Sequence, residues 1–197
     1  DAQGRYVEFC KNTFPKDQSL EGLKIVLDCS HGATYQVAPK IFTDLGAEVQ
    51  SIGVSPNGTN INEGCGSTSL ELLRSEVQKN KANLGIAFDG DGDRVLMVNS
   101  NGDKVDGDQL LFIIVRAAFK ENHFNSGVVG TLMTNLAFEE NLKELGIRFS
   151  RSGVGDRYVS EMMQEKNWLY GGENSGHILL KDLHTTGDGI ISALQVL

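Results

Sequence analysis

The sequence predicts an α/β protein made of two similar domains that meet near Gly102. Short apolar runs rich in β-branched residues alternate with helical patterns along the chain, which is typical of α/β domains. Residues 44–54 read DLGAEVQSIGV and residues 144–154 read ELGIRFSRSGV, at an offset of 100 positions. The order of helices and strands around these segments also repeats. We therefore predict a first domain at 1–102 and a second domain at 103–197.

The first domain is predicted to contain three helices and four strands. The helices span 1–14, 35–45 and 68–80, and the strands span 23–28, 47–52, 84–88 and 95–99. Gly46 ends the second helix at a C′ position, with Pro39 in or near its first turn. Thr68 and Glu71 have the spacing of a capping box for the third helix. Residues 53–67 form a long polar loop, and the fourth strand runs antiparallel to the third because their link is short.

The pattern restarts after a turn at Asn101-Gly102. An apolar helix is predicted over Asp108–Asn122, with Asp106 or Asp108 near its positive N-terminal end. Further helices are predicted at 136–145, 157–166 and 187–197, and strands at 127–132, 147–150, 168–171 and 177–180.

Composition argues against several classes of protein. A hydrophobic content of 40% is compatible with a packed core, and a net charge of −8 argues against nucleic acid as a partner. The longest apolar run, Leu110–Val115, is too short to span a membrane. Cys10, Cys29 and Cys65 are too few and too scattered for a disulfide framework, so we expect buried, reduced thiols in a cytoplasmic protein. The chain has no initiator Met and no signal peptide, and we expect a fragment.

The stretch from Leu84 to Arg94, LGIAFDGDGDR, carries the strongest chemical signal. Three crowded carboxylates, Asp89, Asp91 and Asp93, repel one another unless a cation such as Mg²⁺ joins them. In an extended strand they would spread over roughly 13 Å, which one Mg²⁺ cannot bridge. The backbone must therefore curl inward, and the intervening Gly90 and Gly92 permit positive φ.

Other interpretations of this stretch are weaker or remain open. An EF-hand would need Gly at its sixth position and Glu at its twelfth, where Arg94 and Ser100 stand. An aspartate-nucleophile phosphatase also has a strand ending in Asp-x-Asp, but it expects Thr or Val in place of Asp93. A plain acidic turn is the remaining alternative.

Two glycine-bearing loops in the second domain are also candidates. GGENSGH offers Glu173, Asn174, Ser175 and His177, groups that hydrogen-bond sugar hydroxyls, although a plain hairpin turn fits its composition equally well. GVGDR precedes a helix, so its backbone amides and Arg157 suit a phosphate; a helix start with a surface ion pair is the alternative. Ser30 and His31 are adjacent in sequence and rarely give nucleophile–base geometry.

Four segments together, GIAFDGDGDR, VDGDQ, VGDRYV and GENSGH, closely resemble the α-D-phosphohexomutase superfamily over essentially the whole chain. The resemblance implies the second and third of four domains, each a mixed four-stranded sheet flanked by helices, with the first and fourth domains missing here. It implies a phosphomutase that moves phosphate between two positions of a sugar through a phosphoserine and a bisphosphate. That serine belongs to the first domain, so we expect this chain alone to be inactive.

Roles for individual residues follow from the same resemblance. Asp89, Asp91 and Asp93 match the Mg²⁺ ligands, and Arg94 matches a catalytic residue near the phosphoserine. Glu173 and Ser175 match the loop that grips two sugar hydroxyls. Asn174 stands where relatives specific for mannose or glucose phosphates usually carry Met, which favours a phosphorylated amino sugar as substrate. A hexose phosphomutase of other specificity and a non-catalytic sugar-phosphate or metal-binding module remain alternatives.

Overall fold

A computed structural model of the chain describes residues 1–121 and 124–197, which form two compact units. Unit 1 comprises Asp1–Val105, Gly189–Gln195 and Leu197, and unit 2 comprises Asp106–Asp188 and Val196. Most of the closing helix therefore packs with unit 1, although it follows unit 2 in sequence. The domain boundary at 102/103 stays a prediction.

Helices and strands alternate as the sequence predicted, with ends that coincide or differ by up to three residues. The elements are, in chain order, α1 (Ala2–Thr13), β1 (Lys24–Asp28), α2 (Val37–Asp44), β2 (Glu48–Ile52), α3 (Glu71–Lys79), β3 (Leu84–Phe88), β4 (Val95–Asn99), β5 (Lys104–Val105), α4 (Gly107–Lys120), β6 (Gly127–Thr131), α5 (Leu136–Glu144), β7 (Arg148–Ser152), α6 (Asp156–Lys166), β8 (Tyr170–Gly172), β9 (Ile178–Leu180) and α7 (Gly189–Val196).

Unit 1 contains a mixed sheet with the strand order β2-β1-β3-β4-β5. Strand β1 pairs in parallel with β2 and β3, whereas β4 pairs antiparallel with β3 and β5. Four strands were expected, and β5 is a fifth. It consists of only two residues after the predicted turn, which is too short to give a recognisable pattern.

Unit 2 repeats this topology in a four-stranded sheet with the order β7-β6-β8-β9. Strand β6 pairs in parallel with β7 and β8, and β8 pairs antiparallel with β9. The prediction of an α/β fold with two similar mixed sheets flanked by helices is therefore confirmed. The turns between β3 and β4 and between β8 and β9 occupy equivalent places in the two units.

Glycines in β8 show how helices cover both faces of the second sheet. A Cβ atom at Gly171 would lie 2.6 Å from the sulfur of Met163 in α6, whereas one at Gly172 would lie 3.4 Å from Leu111 in α4. Successive side-chain directions alternate across a strand, so α4 and α6 lie on opposite faces. In unit 1, α3 covers one face through Leu73 and Val77, both fully buried.

The start of α3 differs from the prediction. Helix α3 begins at Glu71, and its N-cap residue, Leu70, makes no side-chain capping bond within the described part of the chain, so the Thr68–Glu71 box is wrong. The backbone N–H of Ser67 donates to the carbonyl of Phe88 at 2.9 Å, which draws this segment toward β3 before the helix begins. At α2, in contrast, Pro39 lies in the first turn and Gly46 takes the positive φ of a C′ residue, as predicted.

A capping box is present on α4 instead. The side chain of Asp106 accepts a hydrogen bond from the N–H of Gln109 at 3.0 Å, and Gln109 Oε1 accepts one from the N–H of Asp106 at 2.9 Å. Helix α4 ends at Lys120, and the end predicted at Asn122 lies outside the described residues.

Asp106→Ala is expected to lower the free energy of unfolding by about 1 kcal/mol, because the backbone N–H of Gln109 at the start of α4 loses its side-chain acceptor. Thr68→Ala is the matched control and is expected to change it by less than about 0.5 kcal/mol. Urea unfolding of both variants followed by circular dichroism tests the pair. Equal effects of the two substitutions would contradict this assignment.

The cysteines and the helix lengths agree with the sequence analysis. Cys10, Cys29 and Cys65 are all buried, and burial raises the pKa of the Cys29 thiol to about 12. Over the described ranges, none of the helices is long and apolar enough to cross a membrane.

Candidate functional site

The aspartate loop, residues 89–94, is the turn between β3 and β4. One ligand atom from each of Asp89, Asp91 and Asp93 lies within 4.8 Å of the other two. Two oxygens on opposite sides of one Mg²⁺ are about 4.2 Å apart, since each metal–oxygen distance is about 2.1 Å. The loop is therefore curled as the metal interpretation requires, and its donor set fits a hard divalent cation after a small inward movement.

Asp89 is anchored to the backbone of the loop. Its Oδ1 accepts hydrogen bonds from the backbone N–H groups of Gly92 and Arg94, each at 3.1 Å. Its Oδ2 lies 3.8 Å from Nε of Arg94, and the Asp89 side chain is only 11% exposed, against 46% for that of Arg94. Asp89 therefore closes the turn, while Asp91 is exposed and Asp93 is half-buried.

Electrostatics at Asp89 favour a bound cation. The pKa of the Asp89 carboxyl is raised to about 6, chiefly by burial and then by the negative charges of Asp93 and Asp91, while the N–H of Arg94 opposes the increase. The ionised Asp89 carboxylate is therefore poorly stabilised by its surroundings, since it is removed from water and lies beside two like charges. A divalent cation at the three carboxylates would supply compensating positive charge.

The two loop glycines serve different purposes. Gly92 has φ of +81°, as the predicted curl requires, whereas Gly90 does not adopt positive φ. A Cβ atom at Gly90 would lie 2.7 Å from Cδ1 of Ile61 and 2.8 Å from Nδ2 of Asn62. Gly90 is therefore needed for close packing against the 53–67 segment, and the conformational reason given for it from the sequence is wrong.

The first turn of α7 supports the aspartate loop from a distant part of the sequence. The backbone N–H of Gly189 donates to the carbonyl of Gly92 at 2.8 Å. A Cβ atom at Gly189 would lie 2.7 Å from the carbonyl oxygen of Arg94. Sequence reasoning missed this contact, because nothing local to Gly189 indicates which loop it meets.

The Glu173 loop, residues 173–177, is the turn between β8 and β9. The N–H of Glu173 donates to the carbonyl of His177 at 3.0 Å, which closes the turn. Glu173 and His177 are buried, while Asn174 and Ser175 between them are exposed. The loop thus presents an amide and a hydroxyl to solvent between two buried ionisable groups.

Glu173 also joins this loop to the second glycine loop of unit 2. Its Oε1 accepts a hydrogen bond from the N–H of Gly155 at 3.0 Å, and Gly155 has φ of +125°. Gly107 supports the same loop, because its N–H donates to the carbonyl of Asn174 at 3.1 Å and a Cβ atom there would strike the carbonyl of Glu173. The VDGDQ segment was predicted to begin a helix. Through Gly107 it also supports the turn formed by GENSGH.

Arg157 lies outside this set of contacts. Its Nε donates to Oε1 of Glu161 at 2.7 Å, and its side chain is 81% exposed. This geometry matches the surface ion pair considered as the alternative, and a phosphate-binding role for Arg157 stays a prediction.

The structure thus groups the predicted residues into two turns. Asp89, Asp91, Asp93 and Arg94 share one turn of unit 1. The residues predicted to bind sugar, from Glu173 to His177, share the equivalent turn of unit 2.

Comparison with protein families identifies the class. Residues 4–102 match the family model for phosphoglucomutase/phosphomannomutase, alpha/beta/alpha domain II, and residues 106–197 match the one for domain III. The chain belongs to this phosphohexomutase family.

Within the family, the chain is similar to proteins named phosphoglucosamine mutase. It is 61% identical over 197 residues to the one from Pasteurella multocida and 59% identical to the one from Haemophilus ducreyi. Each match covers 100% of this chain and 44% of the relative, so the chain spans less than half the length of these relatives.

Solved structures share the fold at low sequence identity. A phosphoglucomutase/phosphomannomutase family protein from Burkholderia thailandensis matches with a TM-score of 0.86 and 24% identity, over 98% of this chain and 42% of that one. The N-acetylphosphoglucosamine mutase of Aspergillus fumigatus, solved with GlcNAc-6P and magnesium, matches with a TM-score of 0.74 and 16% identity, over 97% and 49%.

Proposed function

We propose that this chain forms the second and third domains of a phosphomutase that interconverts glucosamine 6-phosphate and glucosamine 1-phosphate. The observation that carries the proposal is the convergence of Asp89, Asp91 and Asp93 in one turn, a donor set suited to phosphoryl transfer. The identity of 58–61% to phosphoglucosamine mutases over the whole chain supports the amino sugar as substrate.

In this proposal the aspartate loop holds the metal. Asp89, Asp91 and Asp93 would hold Mg²⁺ through their carboxylates, together with a phosphoserine from another domain. When bound, Mg²⁺ neutralises charge on the transferring phosphoryl group. Nε of Arg94 lies 3.8 Å from Oδ2 of Asp89, and its guanidinium is half-exposed. In this position Arg94 stabilises the same charge.

The Glu173 loop binds the sugar. Glu173 and Ser175 bind two sugar hydroxyls, and Asn174 presents its amide beside them. His177 is buried and contributes by closing the turn, because its carbonyl accepts from the N–H of Glu173. A grip on hydroxyls away from the reacting positions suits an enzyme that accepts its substrate in two orientations. When substrate binds, the guanidinium of Arg157 would leave the carboxylate of Glu161 and pair with the non-reacting phosphate of the substrate. The carboxylate and the phosphate are both anions that a guanidinium can bind.

The reaction needs groups beyond this chain. A phosphoserine transfers its phosphoryl group to the free sugar position, giving a bisphosphate, and the sugar then returns its other phosphoryl group to the serine. The purified chain is therefore expected to have no mutase activity, and measurable turnover by it would contradict the assignment.

Specificity separates this proposal from its main alternative. The family models are named for glucose and mannose phosphates, which keeps a phosphoglucomutase or phosphomannomutase as the second candidate. We expect an enzyme of the relatives' full length that carries this chain to prefer glucosamine phosphate by at least about tenfold in kcat/KM. Comparing kcat/KM for glucosamine, glucose and mannose phosphates tests this. A preference for either neutral sugar would favour the alternative, and no turnover of any would favour a non-catalytic binding module.

A further inference from the structure

A buried carboxylate that the proposed reaction does not use lies at the end of β1. Asp28 is 0% exposed. Its Oδ1 accepts a hydrogen bond from the N–H of Ser30 at 3.0 Å, and its Oδ2 accepts one from the N–H of Gly66 at 2.7 Å. Burial raises the pKa of the Asp28 carboxyl, so its charge is costly in this position.

The equivalent strand end in unit 2 shows what the local turn itself needs. There Thr131 ends β6, and its hydroxyl accepts a hydrogen bond from the N–H of Met133 at 3.1 Å, two residues along the chain. This is the same spacing as the bond from Ser30 to Asp28. A neutral hydroxyl therefore suffices for the turn, and what the carboxylate adds is the bond to Gly66.

Asp28 joins the segment that contains Ser30 to the segment that contains Gly66. Each of these segments contacts the backbone in the aspartate loop or just before it. After Ser30, the N–H of Ala33 donates to the carbonyl of Gly90 at 2.8 Å. Next to Gly66, the N–H of Ser67 donates to the carbonyl of Phe88 at 2.9 Å.

These backbone contacts are so close that a movement of the 29–33 or 61–67 segment would also move the backbone of residues 88–90. A Cβ atom at Gly66 would lie 2.7 Å from the carbonyl oxygen of Phe88, and one at Gly32 would strike the carbonyl of Gly90. Ser30 and His31 are both at φ of +52°, a left-handed conformation that non-glycine residues keep only where surroundings enforce it.

We propose that Asp28 is a positioning residue that holds the aspartate loop in the conformation in which its three carboxylates converge. It does so by clamping the 29–33 and 61–67 segments on either side of that loop. Its effect on metal binding rests on the proposed function, whereas its effect on the loop conformation does not.

Amide exchange in the metal-free 197-residue chain tests the conformational effect. Asp28→Thr copies unit 2, keeping the short turn and removing the bond to Gly66, and Asp28→Asn is a second variant in case the first folds poorly. We expect the amides of Gly92 and Arg94, which bond to Asp89, to exchange at least about tenfold faster in NMR measurements. The amide of Ile86 in the core of β3 is the internal reference.

The pattern across these amides decides the outcome. Acceleration confined to Gly92 and Arg94 supports positioning. Equal acceleration at Ile86, or none at all, overturns it and leaves Asp28 a purely structural residue. In the unmodified chain, Mg²⁺ is also expected to slow exchange at Gly66, because coupling between sites is reciprocal; unchanged exchange there with Mg²⁺ bound would count against the proposal.

Calorimetric titration with Mg²⁺ gives a second readout. We expect Asp28→Thr to weaken binding by about 5- to 20-fold, a coupling in the usual range. Asp108→Asn is the matched control, because Asp108 is a buried carboxylate in unit 2 that accepts a bond from Asn135, and it should leave affinity within about twofold. An unmodified chain that binds no Mg²⁺ would contradict the proposed metal site alone, and the exchange experiment would still decide the role of Asp28.

Discussion

Asp91→Asn is expected to lower kcat of the full-length phosphomutase by about 100-fold or more while leaving its fold intact. Asp91 is the exposed member of the aspartate loop. No bond of the described residues that holds the turn together depends on its side chain, since Asp89 accepts the bonds from Gly92 and Arg94. An amide in place of a carboxylate would remove one negative ligand of the proposed Mg²⁺ site, which would weaken charge stabilisation in the transition state.

Three measurements make this prediction decisive. Turnover should fall, Mg²⁺ affinity of the chain should fall, and the circular dichroism spectrum and melting temperature should stay unchanged. Asp17→Asn is the charge-matched control, because Asp17 is an exposed carboxylate in the same unit and lies outside the loop. Near-normal turnover of Asp91→Asn would remove Asp91 from the metal site.

Glu173→Gln is expected to reduce kcat/KM by about 10- to 100-fold. Hydrogen bonds from sugar hydroxyls to a carboxylate are worth about 1.5–3 kcal/mol, and a neutral amide gives up most of the charged contribution. Gln retains a side-chain oxygen that can accept the bond from Gly155, so the turn between β8 and β9 should stay in place.

The variant also separates sugar binding from metal binding. Mg²⁺ affinity should be unchanged, because Glu173 lies in unit 2 and the three proposed ligands lie in unit 1. Glu165→Gln, at an exposed position of α6, is the control and should behave as the unmodified protein. An unchanged kcat/KM for Glu173→Gln would exclude Glu173 from the sugar contact.

The sequence predicted the fold well because its signals are local. Residues 84–88 and 95–99 were predicted as strands with their observed bounds, since a short apolar run on each side of a glycine-rich turn leaves little ambiguity. Residues 104–105 were missed because two residues cannot show a period. The capping box was placed at Thr68 because the spacing fits there, whereas the bond from Ser67 to Phe88 redirects that segment.

The candidate site was predicted less completely than the fold. Crowded carboxylates separated by glycines indicate a cation site from composition and spacing alone, so Asp89, Asp91 and Asp93 were predicted directly as its ligands. The structure brings the three carboxylates together, and their role as ligands stays a prediction. The sequence did not predict that the three aspartates differ in burial, because the burial of Asp89 depends on how the loop packs. For Arg157 the sequence suggested either a phosphate contact or a surface ion pair. The structure shows the pair with Glu161, and the phosphate contact stays a prediction.

By itself, the sequence determined the two-fold repeat of α/β topology, the turn that carries three carboxylates and the family to which the chain belongs. Periodicity, turn residues and motif spacing are properties of neighbouring residues, so they can be read along the chain. Only the tertiary structure decided that Asp28 bonds to Gly66, that Gly189 supports Gly92, and that Gly107 underlies GENSGH. Each of these contacts joins residues dozens of positions apart, and packing selects such partners in a way that no local pattern records.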